Sequence, residues 1–444
     1  MSCSPFRLSI NGERVRDGIL LFLIAFFLYN INLRPIASGD SVPAALIPVT
    51  LLTEGTLRMD RYSRYYADYC GGMYRSQKDI PVPYFFHETR YGIFSAYPVA
   101  TGLLVTPFYM LPVGIYHLFH PDTAEWAFFS RIAEKISASA VASGTVVLFY
   151  LLCFRLGLAR RQAWVLTFAY AFASQAWAIS SQALWQHGPG VLFILSAALA
   201  ALAHVDNPSA GKALLVGLCC GLAVAVRPTN VLFAAALGGW ILIRRPSFWL
   251  HYLFPATALG AALALYNVAV FGTLRGGYTR PFDADFLEGL GGLLLSPGRG
   301  LFLYFPLAFF GFTGLYRGIR GKVPDLGFYL VMIVSFAGQV LLLTKWPTWW
   351  GGYSFGPRYL TEVQPMLLLA AIPWFRHARK GSLPWAAFMV FFAWSLFIQG
   401  VGAFIYPAGG WDAKPVSIDV MPSRAWDWKD NPVSRDIGAF LKKH

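Results

Sequence analysis

The sequence predicts an all-α, polytopic membrane protein, and three observations carry that prediction. Charged residues make up 13% of the 444 residues, against roughly 25% in a soluble domain. Hydrophobic residues reach 56% and aromatic residues 17%, which excludes a disordered chain and an ordinary soluble enzyme. Apolar runs approaching the length needed to cross a bilayer recur from Gly18 to Pro407. We read residues 1–444 as a single transmembrane domain, because a helical bundle of this size closes as one unit.

The first run, 18–33, follows Arg7, Arg14 and Arg16. Its basic flank resembles a signal peptide, but the apolar stretch is long and many spans follow. It is therefore expected to remain as an anchor, with the N-terminus cytoplasmic. Residues 34–127 form a long first extracytoplasmic loop with juxtamembrane segments. Within it, 46–57 reads as an amphipathic helix that ends at Gly55 and lies along the surface. The apolar segment 94–119 contains Pro98, Pro107 and Pro112. If it spanned, Arg155, Arg160 and Arg161 would fall outside and every later basic loop would invert. It is expected instead to lie at the interface or to re-enter.

The further spans are then 132–154, 162–181, 189–205, 212–226, 229–243, 248–271, 301–316, 325–344, 360–375 and 384–405, about eleven in all with the first. Each predicted inner loop carries Lys or Arg: Arg155/Arg160/Arg161, Lys212, Arg244/Arg245, Arg317/Arg320/Lys322 and Arg376/Arg379/Lys380. The tail, 407–444, falls outside. There is no internal repeat and no matched pair of broken helices of the transporter kind.

Net charge is +14, from 36 basic and 22 acidic residues. Most basic residues sit in short loops, where they set orientation, and the same charge suits an anionic lipid. No basic-aromatic groove of the single-strand-binding type exists, so nucleic acid is not an expected partner. The cysteines are Cys3, Cys70, Cys153, Cys219 and Cys220. They form no CxxC and no metal-type Cys/His spacing.

The predicted outer loops gather Asp, His, Trp, Gly and Arg against the usual sorting of charge, which makes them functional candidates. Asp40, in Ser38-Gly39-Asp40-Ser41, sits where the chain leaves the first span. It suits a general base toward a hydroxyl or, equally, a helix cap before Val42-Pro43. Asp60 follows the 46–57 helix as a second carboxylate that orients an acceptor or binds a metal, or pairs with Arg58 or Arg61. Glu54, Asp68, Asp79, His87 and Glu88 are weaker members of the same loop. Trp185, Gln186 and His187 occupy a tight hairpin, 182–189, where Trp185 stacks on a ligand or anchors at the interface. Arg227 follows a short span, so its charge needs a lipid phosphate or a buried acid. Arg299 lies in Ser296-Pro-Gly-Arg-Gly300, preceded by Gly276-Gly277-Tyr278. Lys345, Trp349, Trp350, Tyr353 and Arg358 lie in the Trp- and Gly-rich 345–359. An arginine flanked by glycines lets backbone N–H groups and a guanidinium approach a phosphate together. Arg358 has a competing partner in Glu362, one helical turn on.

These segments carry a resemblance. GDSVPAALIPVTLLTEGTL (39–57), SQALWQHGP (181–189), AVRPTN (225–230), SPGRGLF (296–302), WWGGYSFGPRYL (349–360) and Arg424-Ala-Trp-Asp-Trp are similar to stretches in a bacterial branch of the GT-C glycosyltransferase superfamily. That superfamily includes protein O-mannosyltransferases and lipid A aminoarabinose transferases. The likeness runs over nearly the whole chain. It implies a GT-C-like bundle in the bacterial inner membrane with its active site facing the periplasm. It also implies a polyprenyl-phosphate or pyrophosphate sugar donor, a glycan, lipid or protein hydroxyl acceptor, and inversion at the anomeric carbon.

Asp40 matches the first-loop catalytic acid, with Asp60 as a candidate second acid. Many relatives carry an acidic pair at the Asp40 position, where this chain has Asp40-Ser41, which leaves a divalent metal open and no other cofactor expected. Arg358, Arg299, Arg227, His187 and Lys345 are the expected donor-phosphate ligands. Trp185, Gln186, Trp349, Trp350 and Tyr353 are the expected sugar or acceptor pocket. Membrane lipids are the surroundings, and a monomer is expected. A flippase for lipid-linked sugars and an O-antigen-type polymerase are the rival readings.

Overall fold

The computed structural model describes residues 12–71, 82–278 and 280–443; Cys3, Arg7, Asp79 and the side chain of Cys70 lie outside the described residues. Helix α1 (Gly12–Asn30) turns Leu21, Ala25 and Tyr29 inward at every fourth residue and leaves Ile19, Leu20, Leu23 and Phe27 outward. The helical period thus divides a uniformly apolar segment into a packed face and a face suited to lipid.

The first loop departs from expectation. Helix α2 (Val42–Glu54) ends at Gly55, which takes the left-handed conformation that favours glycine. It is not an amphipathic surface helix, because every residue from Val42 to Thr50 is buried. Helix α3 (Asp60–Gly71) is followed by a short antiparallel hairpin, β1 (Phe86–Thr89) and β2 (Gly92–Ser95), pairing Phe86 with Ser95. The hairpin is too short to leave a readable alternation in the sequence. Helix α4 (Ala100–His117), within the doubtful 94–119, packs on α2 and holds Pro107 and Pro112.

The bundle continues with α5 (Thr123–Arg155), packed along α1. Its start is fixed by a reciprocal cap: Asp122 accepts the Glu125 N–H at 2.8 Å and Glu125 accepts the Asp122 N–H at 2.7 Å. Helices α6 (Arg160–Ala173), α7 (His187–Asp206), α8 (Ala210–Val226), α9 (Val231–Arg244) and α10 (Trp249–Phe271) follow, with α8 against α7 and α10. At the α8–α10 contact, a Cβ on Gly217 would lie 2.1 Å from the Tyr252 carbonyl oxygen, so only glycine permits that approach. Helix α11 (Phe286–Leu295) precedes a pair that replaces one expected span, α12 (Leu301–Tyr304) and α13 (Ala308–Arg320). Pro306, which cannot donate to a helix, stands at the break. Helix α14 (Leu326–Thr344) is continuous. The expected 360–375 span divides into α15 (Val363–Ala370) and α16 (Ile372–His377), and α17 (Leu383–Gly400) closes the bundle. The tail runs across one end and finishes in α18 (Pro432–Lys443).

Each expected span therefore falls on helix. Among the described residues, five helical segments are long and apolar enough on their own to cross a membrane: Thr123–Arg155, His187–Asp206, Pro246–Phe271, Leu326–Thr344 and Leu383–Ile405. Helix α4 is not among them. The basic residues predicted for inner loops meet at one end of the bundle, where acids pair with two of them. Arg160 pairs with Asp17 at 2.6 Å and Glu13 at 2.9 Å, and Arg155 bridges Asp206 and Asp325. The opposite end holds the residues predicted for the outer loops.

Candidate active site

Ser38 starts a single turn over Gly39–Ser41 that runs into α2, and its hydroxyl accepts the Asp40 N–H at 3.3 Å. Ser38, not Asp40, is the cap, and the Asp40 carboxylate is free to turn elsewhere. Its Oδ1 accepts the Tyr97 hydroxyl at 2.7 Å and the Tyr84 hydroxyl at 3.0 Å. Its Oδ2 accepts Arg358 Nη1 at 2.6 Å. Burial on its own would raise the Asp40 carboxyl, but the Arg358 charge and the three hydrogen bonds outweigh it and hold the group below the usual carboxylate range. Burial, reinforced by the Asp40 charge, pushes the Tyr97 hydroxyl up, so Tyr97 remains a donor.

Arg358 is in turn fixed from both sides. Its guanidinium carbon sits 4.4 Å from the Trp185 ring centre and 5.1 Å from that of Tyr359. The 182–186 turn that presents Trp185 is held from α5: Glu134 accepts the Leu184 N–H at 3.1 Å, and Lys135 donates to Gln182 at 2.7 Å and to the Tyr29 carbonyl at 2.6 Å. Two neighbouring charged residues on a long apolar helix thus tie α1 and the Trp185 turn together.

Beside this pair lies a second buried assembly. Glu362, fully buried, accepts Arg227 and contacts His187 Nδ1 at 3.0 Å through both oxygens. The competing Arg358–Glu362 pair is not formed; Arg358 reaches Asp40 across 318 residues, and Glu362 serves Arg227 and His187. Arg227 thereby finds its buried acid.

Both assemblies face one cavity of about 1,330 Å³ at this end of the bundle. Of the expected site residues, Asp40, Arg358, Arg227, His187, Trp185, Gln186, Trp350 and Tyr353 line it. Four others do not. Asp60 pairs with Arg58 at 2.8 Å and accepts the Ile93 N–H, a structural link between α3 and β2. Lys345 points to the Ala284 carbonyl at 3.2 Å. Trp349 packs on Gly292 in the core. Arg299, 1% exposed, donates to Asp412 at 2.5 Å and to the Trp350, Gly352 and Gly298 carbonyls, with Trp411 stacked against it. Arg299 therefore fastens the tail and the 350–352 loop, and does not line the cavity.

The cavity also contains residues that sequence reasoning passed over. Tyr84 and Tyr97 come from an aromatic-rich loop without a motif to mark them. Tyr278 shares reciprocal hydrogen-bonding distance of 3.2 Å with Gln186, and burial pushes its hydroxyl up to about 12. Arg275 and Arg280 line the rim, exposed, with no ion pair recorded for either among the described residues. Arg275 belongs to the Arg-Gly-Gly-Tyr run, 275–278, in which Gly277 packs so closely on Ala96 that a Cβ would lie 2.4 Å from its carbonyl oxygen. Asp419 enters from the tail. The donor set around Asp40 does not fit a divalent cation, since one carboxylate is surrounded by a guanidinium and two phenols. Among the described residues, no three His, Cys, Asp or Glu side chains gather as a metal site.

The architecture matches the crystal structure of ArnT from Cupriavidus metallidurans bound to undecaprenyl phosphate, with a TM-score of 0.50 at 12% identity over 97% of this chain and 76% of that one. The chain shares the fold of that protein. The apo state of the same protein aligns over 90% of this chain and 79% of that one, at 13% identity and a TM-score of 0.49. No family model and no curated protein sequence matches the chain.

Proposed function

We propose that the protein is an integral-membrane glycosyltransferase that moves a sugar from a polyprenyl-phosphate or pyrophosphate donor to a hydroxyl acceptor, with inversion, at the extracytoplasmic end of the bundle. The observation that carries the reading is the cavity itself. One half-buried carboxylate, Asp40, stands beside the guanidinium of Arg358, with Arg227, Arg275 and Arg280 on the same walls. The fold shared with a protein crystallised with undecaprenyl phosphate agrees with such a lipid donor. The two-ended charge distribution, basic loops at one end and this cavity at the other, agrees with a cytoplasmic N-terminus.

The chemistry follows from the pairing. In the resting protein Asp40 is a weak base, because Arg358 stabilises its ionised form. A donor phosphate competes for Arg358 with more negative charge than one carboxylate supplies. As Arg358 turns toward phosphate, Asp40 loses its counter-charge and its proton affinity rises. The acceptor hydroxyl then passes its proton to Asp40, and its oxygen attacks the anomeric carbon from the face opposite the phosphate. The bond from that carbon to the phosphate oxygen breaks, and its electron pair leaves on the phosphate. Arg358, with Arg275 and Arg280, stabilises that developing charge. The base is thus released only where a donor is bound, which limits wasteful proton transfer.

The test uses protein in nanodiscs, radiolabelled polyprenyl-phosphate sugars and a crude membrane acceptor fraction. Transfer by the wild type, lost in Asp40→Asn with donor binding retained, supports the reading. Undiminished transfer by Asp40→Asn removes Asp40 as the base. Donor movement across liposomes without transfer replaces the reading with a flippase.

A further inference from the structure

We propose that Asp419, with the rings of Trp350 and Tyr353, forms the wall that reads the hydroxyl groups of the donor sugar. Asp40 and Asp419 are the only carboxylate side chains lining the cavity among the described residues, and they arrive on different segments of the chain. Asp40 is engaged by Arg358. Asp419 has no ion pair among the described residues: its Oδ1 accepts the indole N–H of Trp350 at 2.8 Å, and the exposed residue lines the cavity. One oxygen is thereby oriented while the other stays open, an arrangement that accepts hydrogens from neighbouring hydroxyls on a ring.

The surroundings suit a sugar and repel a phosphate. Trp350 and Tyr353 line the cavity beside Asp419 and supply aromatic carbon for the C–H face of a pyranose. Gly351 and Gly352, both at positive φ, lie between them and add no side chain to the floor. An unneutralised carboxylate is the wrong charge for the lipid phosphate, whereas Arg227, Arg275, Arg280 and Arg358 are the right one. The cavity therefore sorts the two ends of a glycosyl phosphate by charge.

The wall is also rigid, which discrimination requires. Tyr353 donates to Ser417 at 3.0 Å, and Ser417 Oγ accepts the Asp419 N–H at 3.2 Å. Ile418 is fully buried and its N–H reaches the Asp412 carbonyl at 2.8 Å. Trp411 lies between the guanidiniums of Arg299 and Arg424, at 5.0 Å and 4.9 Å. The anchoring of this tail segment thus ends in a carboxylate that lines the cavity.

This inference rests on the lipid-donor reading, and the experiment separates the two. Affinities of the nanodisc protein are measured for bare polyprenyl phosphate and for its mannosyl, glucosyl and galactosyl esters, in the wild type, Asp419→Asn and Asp419→Ala. The wild type is expected to prefer at least one ester over the bare phosphate. Asp419→Ala should remove about 10- to 100-fold of that preference, the size of one or two hydrogen bonds to a charged group. Asp419→Asn, which keeps one acceptor, should lose less and change the order among the three sugars. Affinity for bare polyprenyl phosphate should not fall in either variant. A preference that survives Asp419→Ala overturns the inference, as does a wild type that binds bare phosphate and every ester equally. No binding of any polyprenyl phosphate by the wild type overturns the donor reading instead.

Discussion

Replacing Arg358 by Gln removes the charge that holds Asp40 ionised, and the consequence is calculable. Arg358 Nη1 and Asp40 Oδ2 are 2.6 Å apart, with 6% and 21% of their side chains exposed. Two unit charges about 4 Å apart attract by about 4 kcal/mol at an effective dielectric of about 20. Water reaching Asp40 reduces that figure, and losing the attraction raises the Asp40 carboxyl.

The assay is the pH dependence of kcat/KM in nanodiscs, read by its shape and not its height, since Arg358 also serves the donor phosphate. The acid limb should move upward in Arg358→Gln and stay in place in Arg358→Lys. Thermal unfolding supplies a second readout. In the wild type the depressed carboxyl contributes stability that is present above its unfolded value of about 4 and lost as pH falls through the folded value. In Arg358→Gln the sign reverses. Burial then raises Asp40 above its unfolded value, so the variant loses stability relative to wild type as pH rises above about 4. An active Arg358→Gln protein with an unmoved acid limb would refute the coupling of donor binding to base release.

Three further outcomes are expected. Glu362→Gln leaves Arg227 buried without its counter-charge and should cost about 3 to 5 kcal/mol, seen as a lowered melting temperature in detergent. Arg275→Gln and Arg280→Gln, at exposed rim positions, should leave the melting temperature unchanged. Each should weaken polyprenyl-phosphate binding by about tenfold at low salt and by less at high salt, measured by titration at two ionic strengths. Asp436 in α18 is buried and accepts the Gly409 N–H at 2.6 Å, and burial pushes its carboxyl up to about 6. The tail should therefore dock most firmly below about pH 4 and loosen as pH rises through about 6. Hydrogen exchange across 409–436, corrected for intrinsic rate, should register that loosening in wild type and not in Asp436→Asn.

Much of the fold is legible in the sequence because a bilayer imposes a single coarse rule. Backbone groups must be satisfied within the segment, so each long apolar run becomes helix, and basic residues sort to one end. The run positions, the basic loops and the doubtful status of 94–119 follow from that rule. Local chemistry modifies it where the rule is silent. Pro306 divides the 301–316 run, and the Ser174 hydroxyl, accepted by the Tyr170 carbonyl at 2.5 Å, marks the end of α6. The burial of α2 was unreadable, because Val42–Glu54 is apolar nearly all round and periodicity cannot say what covers it.

The site divides the same way. The outer-loop segments that carry unusual residues were evident, since charge, tryptophan and glycine at a bilayer edge defy the statistics of anchoring. Which of those residues face a ligand was not. Arg299 and Arg358 both sit among glycines in such loops, and sequence spacing ranks them alike. The structure separates them by partner: Arg299 is consumed by Asp412 and three carbonyls, while Arg358 meets Asp40 at the cavity wall. Asp419 was invisible for the same reason, as its role depends on a tail folding back over the bundle.

The sequence by itself determined a helical membrane protein, the ends to which its charges sort and the loops in which its chemistry lies, because hydropathy and charge act locally along the chain. Only the tertiary structure decided that Asp40 is paired with Arg358 and Glu362 with Arg227 and His187. It alone decided that Arg275, Arg280 and Asp419 remain open to the cavity. Those pairings join residues more than a hundred positions apart, and the energy of a charge depends on the counter-charge that packing brings beside it.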